Sequence, residues 1–207
     1  MNYAISHPDR MLSLFGGHLV LVTSALMLAS VVAVPLAFLA LRNTGLAAII
    51  LGSLTMLYTI PSLAVLAVLV RMFGLGFLPA VIALAAYAQI FLTRAIIAAH
   101  TDIPIPLRES AIAMGMSARQ RFARIELPLA LPKLLAGFRI AAIACIGLGA
   151  LAGYVSAGGM GELIFSGLAL HNMQMTIAGA LPVALLAIVT DLAVRQGERI
   201  ATLRAHQ

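Results

Sequence analysis

The stretch "RESAIAMGMSARQRFARIELPLALP", residues 108–132, interrupts a chain that is otherwise strongly apolar. Of the 207 residues, 62% are hydrophobic and 10% are charged, yet this stretch alone holds six charged side chains: Arg108, Glu109, Arg119, Arg121, Arg124 and Glu126. Five intervals outside it contain no Asp, Glu, Lys or Arg: 11–41, 43–70, 72–93, 140–161 and 163–190. Each is longer than the roughly 18–20 residues with which an α-helix crosses a bilayer. The sequence therefore predicts an all-α integral membrane protein, folded as one transmembrane domain over residues 1–207.

The apolar intervals and the basic residues together predict the membrane topology. We expect five transmembrane helices at about 18–41, 46–71, 79–99, 134–157 and 174–194. Eleven of the thirteen Lys and Arg residues fall in the Arg42 turn, the segment from Arg94 to Arg139 and the C-terminal tail. Basic loops are typical of the cytoplasmic side. We therefore expect the C-terminus and residues 101–133 in the cytoplasm, and the N-terminus and the 158–173 loop outside.

The sequence lacks the patterns that would indicate catalysis or nucleotide binding. It contains no G-x-x-x-x-G-K-[ST] motif, and its one lysine, Lys133, follows a proline. No Ser/His/Asp or paired-carboxylate pattern is evident, and the five histidines show no metal-ligand spacing. The net charge of +6 fits basic loops at a membrane surface better than nucleic-acid binding. We expect no enzymatic activity, no metal site and no cofactor in this chain.

The first part of the charged stretch has the pattern of a short helix that ends at a glycine. Pro106 suits a first helical turn, where no intrahelical N–H is needed. Leu107, Ala111 and Met114 recur at helical spacing and predict one apolar face. Gly115 follows, where a helix commonly ends in a left-handed conformation.

A second short helix is predicted after this glycine. Ser117 and Gln120 have the spacing of a capping box. We expect the helix to run until Pro128 and Pro132 interrupt it, before the next transmembrane helix. Two interpretations of this helix–glycine–helix unit remain open from the residues alone. It is either an amphipathic hairpin that binds anionic lipid through its arginines, or a docking surface in which Glu109 and the apolar face enter a groove of a cytoplasmic partner.

The spacing of these residues resembles the cytoplasmic signature of the permease subunits of bacterial ATP-binding-cassette importers. That signature is E-A-A, three residues, Gly, nine residues and I-x-L-P, and seven positions correspond here: Glu109, Ser110, Ala111, Gly115, Ile125, Leu127 and Pro128. Ser110 stands where alanine is usual, and it is small and compatible with a helix. The resemblance implies that Glu109, Ser110, Ala111 and Gly115 couple the bundle to a cytoplasmic ATPase subunit. It implies that Ile125, Leu127 and Pro128 join this element to the membrane helices.

Four further segments resemble the osmoprotectant permeases, which import glycine betaine, choline and carnitine. They are "IPSLAVLAVLVRMFGLGFLPAVIAL", "ELPLALPKLLAGFRIAA", "SAGGMGELIFSGLAL" and "AGALPVALLAI". The methionine importer permeases share the five-helix plan and the signature, so a methionine or other small-solute importer stays an alternative. A self-contained channel or secondary carrier is a further alternative of a different class.

The resemblance implies the type I importer fold and a division of labour between subunits. This chain would lie in the bacterial inner membrane with a second permease subunit, identical or homologous. A pair of cytoplasmic subunits would bind ATP and Mg²⁺, and an extracytoplasmic protein would capture the solute. Rocking of the two permeases, driven by ATP binding, would give alternating access.

Pro61 interrupts the second apolar interval in "YTIPSLAV". A proline there frees a backbone carbonyl and commonly kinks a helix. The kink is either a simple bend or part of a translocation path, in which case Tyr58, Thr59 and Ser62 supply its polar groups.

Two weaker patterns concern the solute and the outer loop. Aromatic side chains hold quaternary ammonium ions by cation–π attraction. Tyr3, Tyr58, Tyr87 and Tyr154 are the tyrosines that could form such a cage. Tyrosines in membrane proteins, however, are typically interfacial anchors. The glycines of "SAGGMGELIFSGLALHN" indicate either tight helix packing, which we favour, or an outer gate or receptor for the binding protein.

Overall fold

The computed structural model describes residues 2–205, and in this range the chain is helical without a β-strand. The helices are α1 (Asn2–Ser6), α2 (Pro8–Ala40), α3 (Thr44–Thr59), α4 (Ser62–Phe73), α5 (Phe77–Thr101), α6 (Ile105–Ala113), α7 (Ala118–Arg121), α8 (Leu127–Gly149), α9 (Met160–Ala169) and α10 (Met173–Ala205). A π-helical turn (Phe122–Glu126) joins α7 to α8, and a 3₁₀ turn (Ala150–Val155) follows α8. Four helices are long and apolar enough to cross a membrane, and α3 with α4 makes a fifth if the bent pair counts as one span. The predicted all-α architecture with about five crossings is confirmed.

The bundle is built around α5, which packs against both α2 and α8, while α10 packs on α8 and α9. Small side chains line these contacts: Ala25, Ala29 and Ala33 of α2 and Ala80 and Ala88 of α5 are all buried. Small residues let helices approach closely, and in a bilayer this close packing replaces the hydrophobic driving force between helices. The apolar intervals therefore serve two purposes, packing inward and contact with lipid outward.

The predicted single helix over 46–71 is wrong, because α3 and α4 are bent by 95° relative to each other. Ile60 has an extended conformation (φ −70°, ψ 134°) between the two helices. A residue that precedes proline is pushed out of the helical region by the proline ring, and Pro61 has no N–H to continue the helix. The proline was recognised in the sequence, but its effect is a break rather than a kink.

The predicted loop over 158–173 is also wrong, because most of it forms α9. At ten residues α9 is too short to cross a membrane, so a search for spanning intervals misses it. A Cβ on Gly161 would overlap the carbonyl of Ala150, and one on Gly153 would overlap the backbone of Gly161. Tight packing, the favoured interpretation of the outer-loop glycines, is confirmed at Gly161, whereas nothing lies within 4 Å of a Cβ built on Gly158.

The prolines before the fourth crossing do not separate it from the charged stretch. Residues from Ala118 to Val155 form one continuous helical path, whereas a helix over 134–157 was predicted. Pro128 lies in the first turn of α8, directly after the wider π turn, where its missing N–H is tolerated.

Ion pairs tie the two ends of the bundle. At one end Arg10 of α2 lies 3.1 Å from Glu162 of α9. At the other end Arg139 of α8 lies 2.7 Å from Asp191 and 2.6 Å from Glu198 of α10. The C-terminal part of α10 therefore lies beside the start of α8, on the same side as the charged stretch.

Candidate functional site

Helix α6 presents the first half of the signature at the surface of the bundle. Glu109 and Ser110 are exposed, and the Ser110 hydroxyl donates to the Pro106 carbonyl (2.8 Å), so serine fits here as alanine would. Ala111 is fully buried, whereas Met114 is 71% exposed. The predicted common face of Leu107, Ala111 and Met114 is therefore wrong: the helix ends at Ala113, and Met114 turns outward beyond it.

Gly115 closes α6 in the left-handed conformation, with φ +76°. The Met116 N–H donates to the Ala111 carbonyl (3.1 Å) across this turn. No atom lies within 4 Å of a Cβ built on Gly115, so the backbone conformation, and not space, requires glycine here. The predicted glycine turn is confirmed.

The capping box is present as the sequence predicts. The Gln120 N–H donates to the Ser117 hydroxyl (3.3 Å), and the Ser117 N–H donates to the Gln120 side-chain oxygen (2.8 Å). The helix that begins here passes through the π turn, which contains Ile125, into α8, which begins with Leu127 and Pro128. The second half of the signature thus lies on the continuous helical path into the membrane bundle.

Glu126 joins the two halves of the signature, a role that sequence reasoning missed. Its Oε1 lies 3.5 Å from Arg108 Nε and 3.2 Å from Arg121 Nε. Arg108 also donates through Nη2 to the His100 carbonyl at the end of α5 (2.8 Å). These contacts connect α6 to both α5 and the π turn. The only sequence signal was the placement of opposite charges near the two ends of the stretch.

A second ion pair joins Asp102, directly after α5, to Lys133 of α8. The hydrogen bond from Lys133 holds the pKa of the Asp102 carboxyl below its usual value, and desolvation by burial opposes this shift in part. This pair therefore joins the end of α5 to the first part of α8.

The residues predicted to line a translocation path lie around the α3–α4 break. Tyr58 is 44% exposed, and the Thr59 hydroxyl donates to the Met56 carbonyl (2.7 Å). Pro61 precedes α4, and Ser62 is its half-buried first residue. The structure therefore places all four at the break, with Tyr58 packed against α5.

The four-tyrosine cage does not form. Tyr58 packs edge-on against Tyr87 and against Phe91, with ring centroids 5.8 and 5.2 Å apart. Tyr3 stacks on His7, and Tyr154 packs on Phe165. Of the four tyrosines, only Tyr58 and Tyr87 are in contact. The other ring against Tyr58 is Phe91, which the sequence did not single out.

Residues 20–199 match the family described as the binding-protein-dependent transport system inner membrane component. This chain belongs to that family. The resemblance to permease subunits of bacterial ATP-binding-cassette importers is thereby confirmed. As an inner membrane component it is a multi-pass protein.

Relatives of this inner membrane component match over nearly its whole length. It is 38% identical over 196 residues to the osmoprotectant import permease protein of Salmonella typhimurium, covering 92% of this chain and 91% of the relative. It is 37% identical over 188 residues to the carnitine transport permease protein of Listeria monocytogenes, covering 91% and 86%. It is 33% identical over 207 residues to the glycine betaine/carnitine/choline transport system permease protein of Bacillus subtilis, covering 100% and 95%.

The fold of this inner membrane component is similar to a solved importer. A chain of the methionine ABC transporter in an inward-facing conformation superposes with a TM-score of 0.82 over 95% of this chain and 98% of that chain, at 21% identity. The predicted importer fold is confirmed.

Proposed function

We propose that this chain is the membrane-spanning subunit of an ATP-driven importer for osmoprotectants such as glycine betaine, choline or carnitine. The observation that carries this proposal is the α6–Gly115 turn, which exposes Glu109 and is tied to the bundle by the Arg108–Glu126 pair. The names of the relatives, at 33–38% identity, support the solute class.

In the proposed mechanism α6 docks in a cleft of a cytoplasmic ATP-binding subunit. Glu109 offers a charge, while Ile112 (58% exposed) and Met114 offer apolar contact. ATP and Mg²⁺ would be held by that subunit, and this chain would transmit its closure. The connections from Arg108 to Glu126 and to α5 provide the path into the membrane helices.

The docking end is proposed to be cytoplasmic, together with the C-terminus. The excess of basic residues at that end and the pairing of Arg139 with Asp191 and Glu198 support this orientation. An extracytoplasmic binding protein would then deliver solute at the opposite end. A second permease subunit would complete the path, and this chain would hydrolyse nothing itself.

The test is uptake of labelled glycine betaine into vesicles that contain this chain, its ATP-binding subunit and its binding protein. We expect uptake that requires ATP and is reduced by choline or carnitine but not by methionine. Uptake of methionine alone would overturn the solute class. Uptake that persists without the ATP-binding subunit would overturn the importer mechanism.

Docking is tested separately with Glu109→Gln. We expect about tenfold weaker association of the ATP-binding subunit, as for the loss of one charge-assisted hydrogen bond. Asp9→Asn, an exposed carboxylate at the start of α2, is the matched control. Unchanged association of the Glu109 variant would instead favour the lipid-binding hairpin.

A further inference from the structure

Arg94 lies within α5, as the predicted helix at about 79–99 implies, although the count of basic residues grouped it with the cytoplasmic segment. It precedes the end of the helix at Thr101 by about seven residues, or roughly 10 Å along the axis. Its Nη2 donates to the Thr55 hydroxyl of α3 (3.3 Å), which in turn donates to the Leu51 carbonyl (2.7 Å). Within the described part of the chain, no carboxylate pairs with Arg94.

Aromatic rings lie one helical turn from this arginine on both helices. Tyr58 follows Thr55 by one turn of α3, and Phe91 precedes Arg94 by one turn of α5. The Tyr58 and Phe91 rings are in edge contact, with centroids 5.2 Å apart. The Arg94–Thr55 contact and the Tyr58–Phe91 contact therefore lie on successive turns between α3 and α5.

This face differs from the lipid-type surface of α10. The exposed residues of α10 between 177 and 193 are all apolar: Ile177, Ala180, Leu181, Ala184, Leu185, Ile188, Val189, Leu192 and Ala193. The exposed residues of α3 include five with hydroxyl groups: Thr44, Ser53, Thr55, Tyr58 and Thr59. An unpaired charge at membrane depth typically faces a water-filled path rather than lipid. The α3–α5 face therefore has the composition expected of the wall of a solute translocation path.

We propose that Arg94 and the Tyr58–Phe91 pair form a subsite for zwitterionic quaternary ammonium solutes. The guanidinium would bind the carboxylate of glycine betaine or carnitine, and the rings would receive the trimethylammonium group. Choline carries the same trimethylammonium group without a carboxylate, so Arg94 favours the zwitterions while the rings serve all three solutes. This subsite rests on the proposed function.

The experiment compares uptake of glycine betaine and choline by the complete transporter in vesicles, with saturating binding protein. Arg94→Gln keeps a donor for Thr55 but removes the charge. It should lower glycine betaine uptake by about tenfold and choline uptake by less than about twofold. Tyr58→Leu should lower uptake of both solutes alike, by roughly three- to fivefold. Arg94→Lys and Tyr58→Phe should keep the wild-type ratio, and Arg199→Gln on exposed α10 is the matched control.

Two results would overturn the subsite while leaving the proposed function intact. An equal loss of glycine betaine and choline uptake in Arg94→Gln would mean that Arg94 only holds α3 against α5. Unchanged uptake of both solutes would mean that the Arg94 side chain reaches the lipid headgroups instead. Failure of the unaltered transporter to import any of the three solutes would overturn the proposed function, and the subsite with it.

Discussion

Arg108 Nε lies 3.5 Å from Glu126 Oε1, so the two ends of the charged stretch meet as an ion pair. Arg121 shares the same carboxylate oxygen at 3.2 Å, and the side chains of all three residues are mostly buried. Because Arg108 also binds the His100 carbonyl, α6 is held to the end of α5 and to the π turn at once. In the proposed mechanism, this connection carries movement of the exposed turn to α5 and α8.

Glu126→Gln should weaken this connection without removing the docking surface. Loss of this partly buried ion pair weakens the connection by about 1 kcal/mol, so less solute should be transported per ATP hydrolysed. Association with the ATP-binding subunit should stay unchanged, because Glu109 lies in α6 whereas Glu126 lies in the π turn. Arg195→Gln, which breaks the exposed pair with Asp191 on α10, is the control. Equal transport per ATP in the Glu126 variant would contradict the connection.

The pair of Asp102 and Lys133 should stabilise the fold in a pH-dependent way. Its hydrogen bond lowers the pKa of Asp102 in the folded state. Stabilisation is therefore complete above the unfolded value of about 3.9 and is lost as the pH falls through the lower folded value. Asp102→Asn should melt below wild type at pH 7, with a Tm difference that shrinks as the pH falls below about 4 in detergent solution. Lys133→Gln should show the same convergence, and a difference that persists in acid would be inconsistent with this pair.

Gly161→Ala should destabilise the contact between α9 and the end of α8. Its Cβ would overlap the Ala150 carbonyl, which belongs to backbone and cannot move aside. Overpacking of this kind typically costs about 1–3 kcal/mol, and it should appear as a lower Tm. Gly147→Ala is the matched control, because nothing lies within 4 Å of its Cβ and alanine is the better helix former. An equal Tm for the two variants would mean that α9 is not packed as described.

Local features of the coupling segment could be predicted from the sequence because they depend on residues a few positions apart. The left-handed Gly115 and the capping box of Ser117 with Gln120 are of this kind. Four of the spanning helices were predictable from the length of an apolar interval, whereas the interval 43–70 is long enough but is broken at Pro61. Their ends were less so: α2 begins at Pro8, well before the predicted start near 18.

Features that depend on distant contacts could not be predicted. Nothing in the sequence pairs Arg108 with Glu126, since the fold of the segment brings them together. The apolar, glycine-rich α9 reads as a loop because its burial comes from packing against neighbouring helices. The contact of Arg94 with Thr55 is a further case, because nothing in the sequence pairs these positions of α5 and α3.

The 95° break between α3 and α4 should depend on Tyr87, which the sequence did not assign to it. Its hydroxyl donates to the Ile60 carbonyl (2.5 Å), which the break leaves without a helical partner. A carbonyl inside a membrane has no water to replace that hydrogen bond. Tyr87→Phe should therefore lower the free energy of unfolding by about 1–3 kcal/mol, measured as a lower Tm in detergent. Tyr154→Phe is the matched control, because its exposed ring makes only an edge contact with Phe165. Equal melting of the two variants would show that the Ile60 carbonyl is satisfied by another group and that the break is maintained by Pro61 alone.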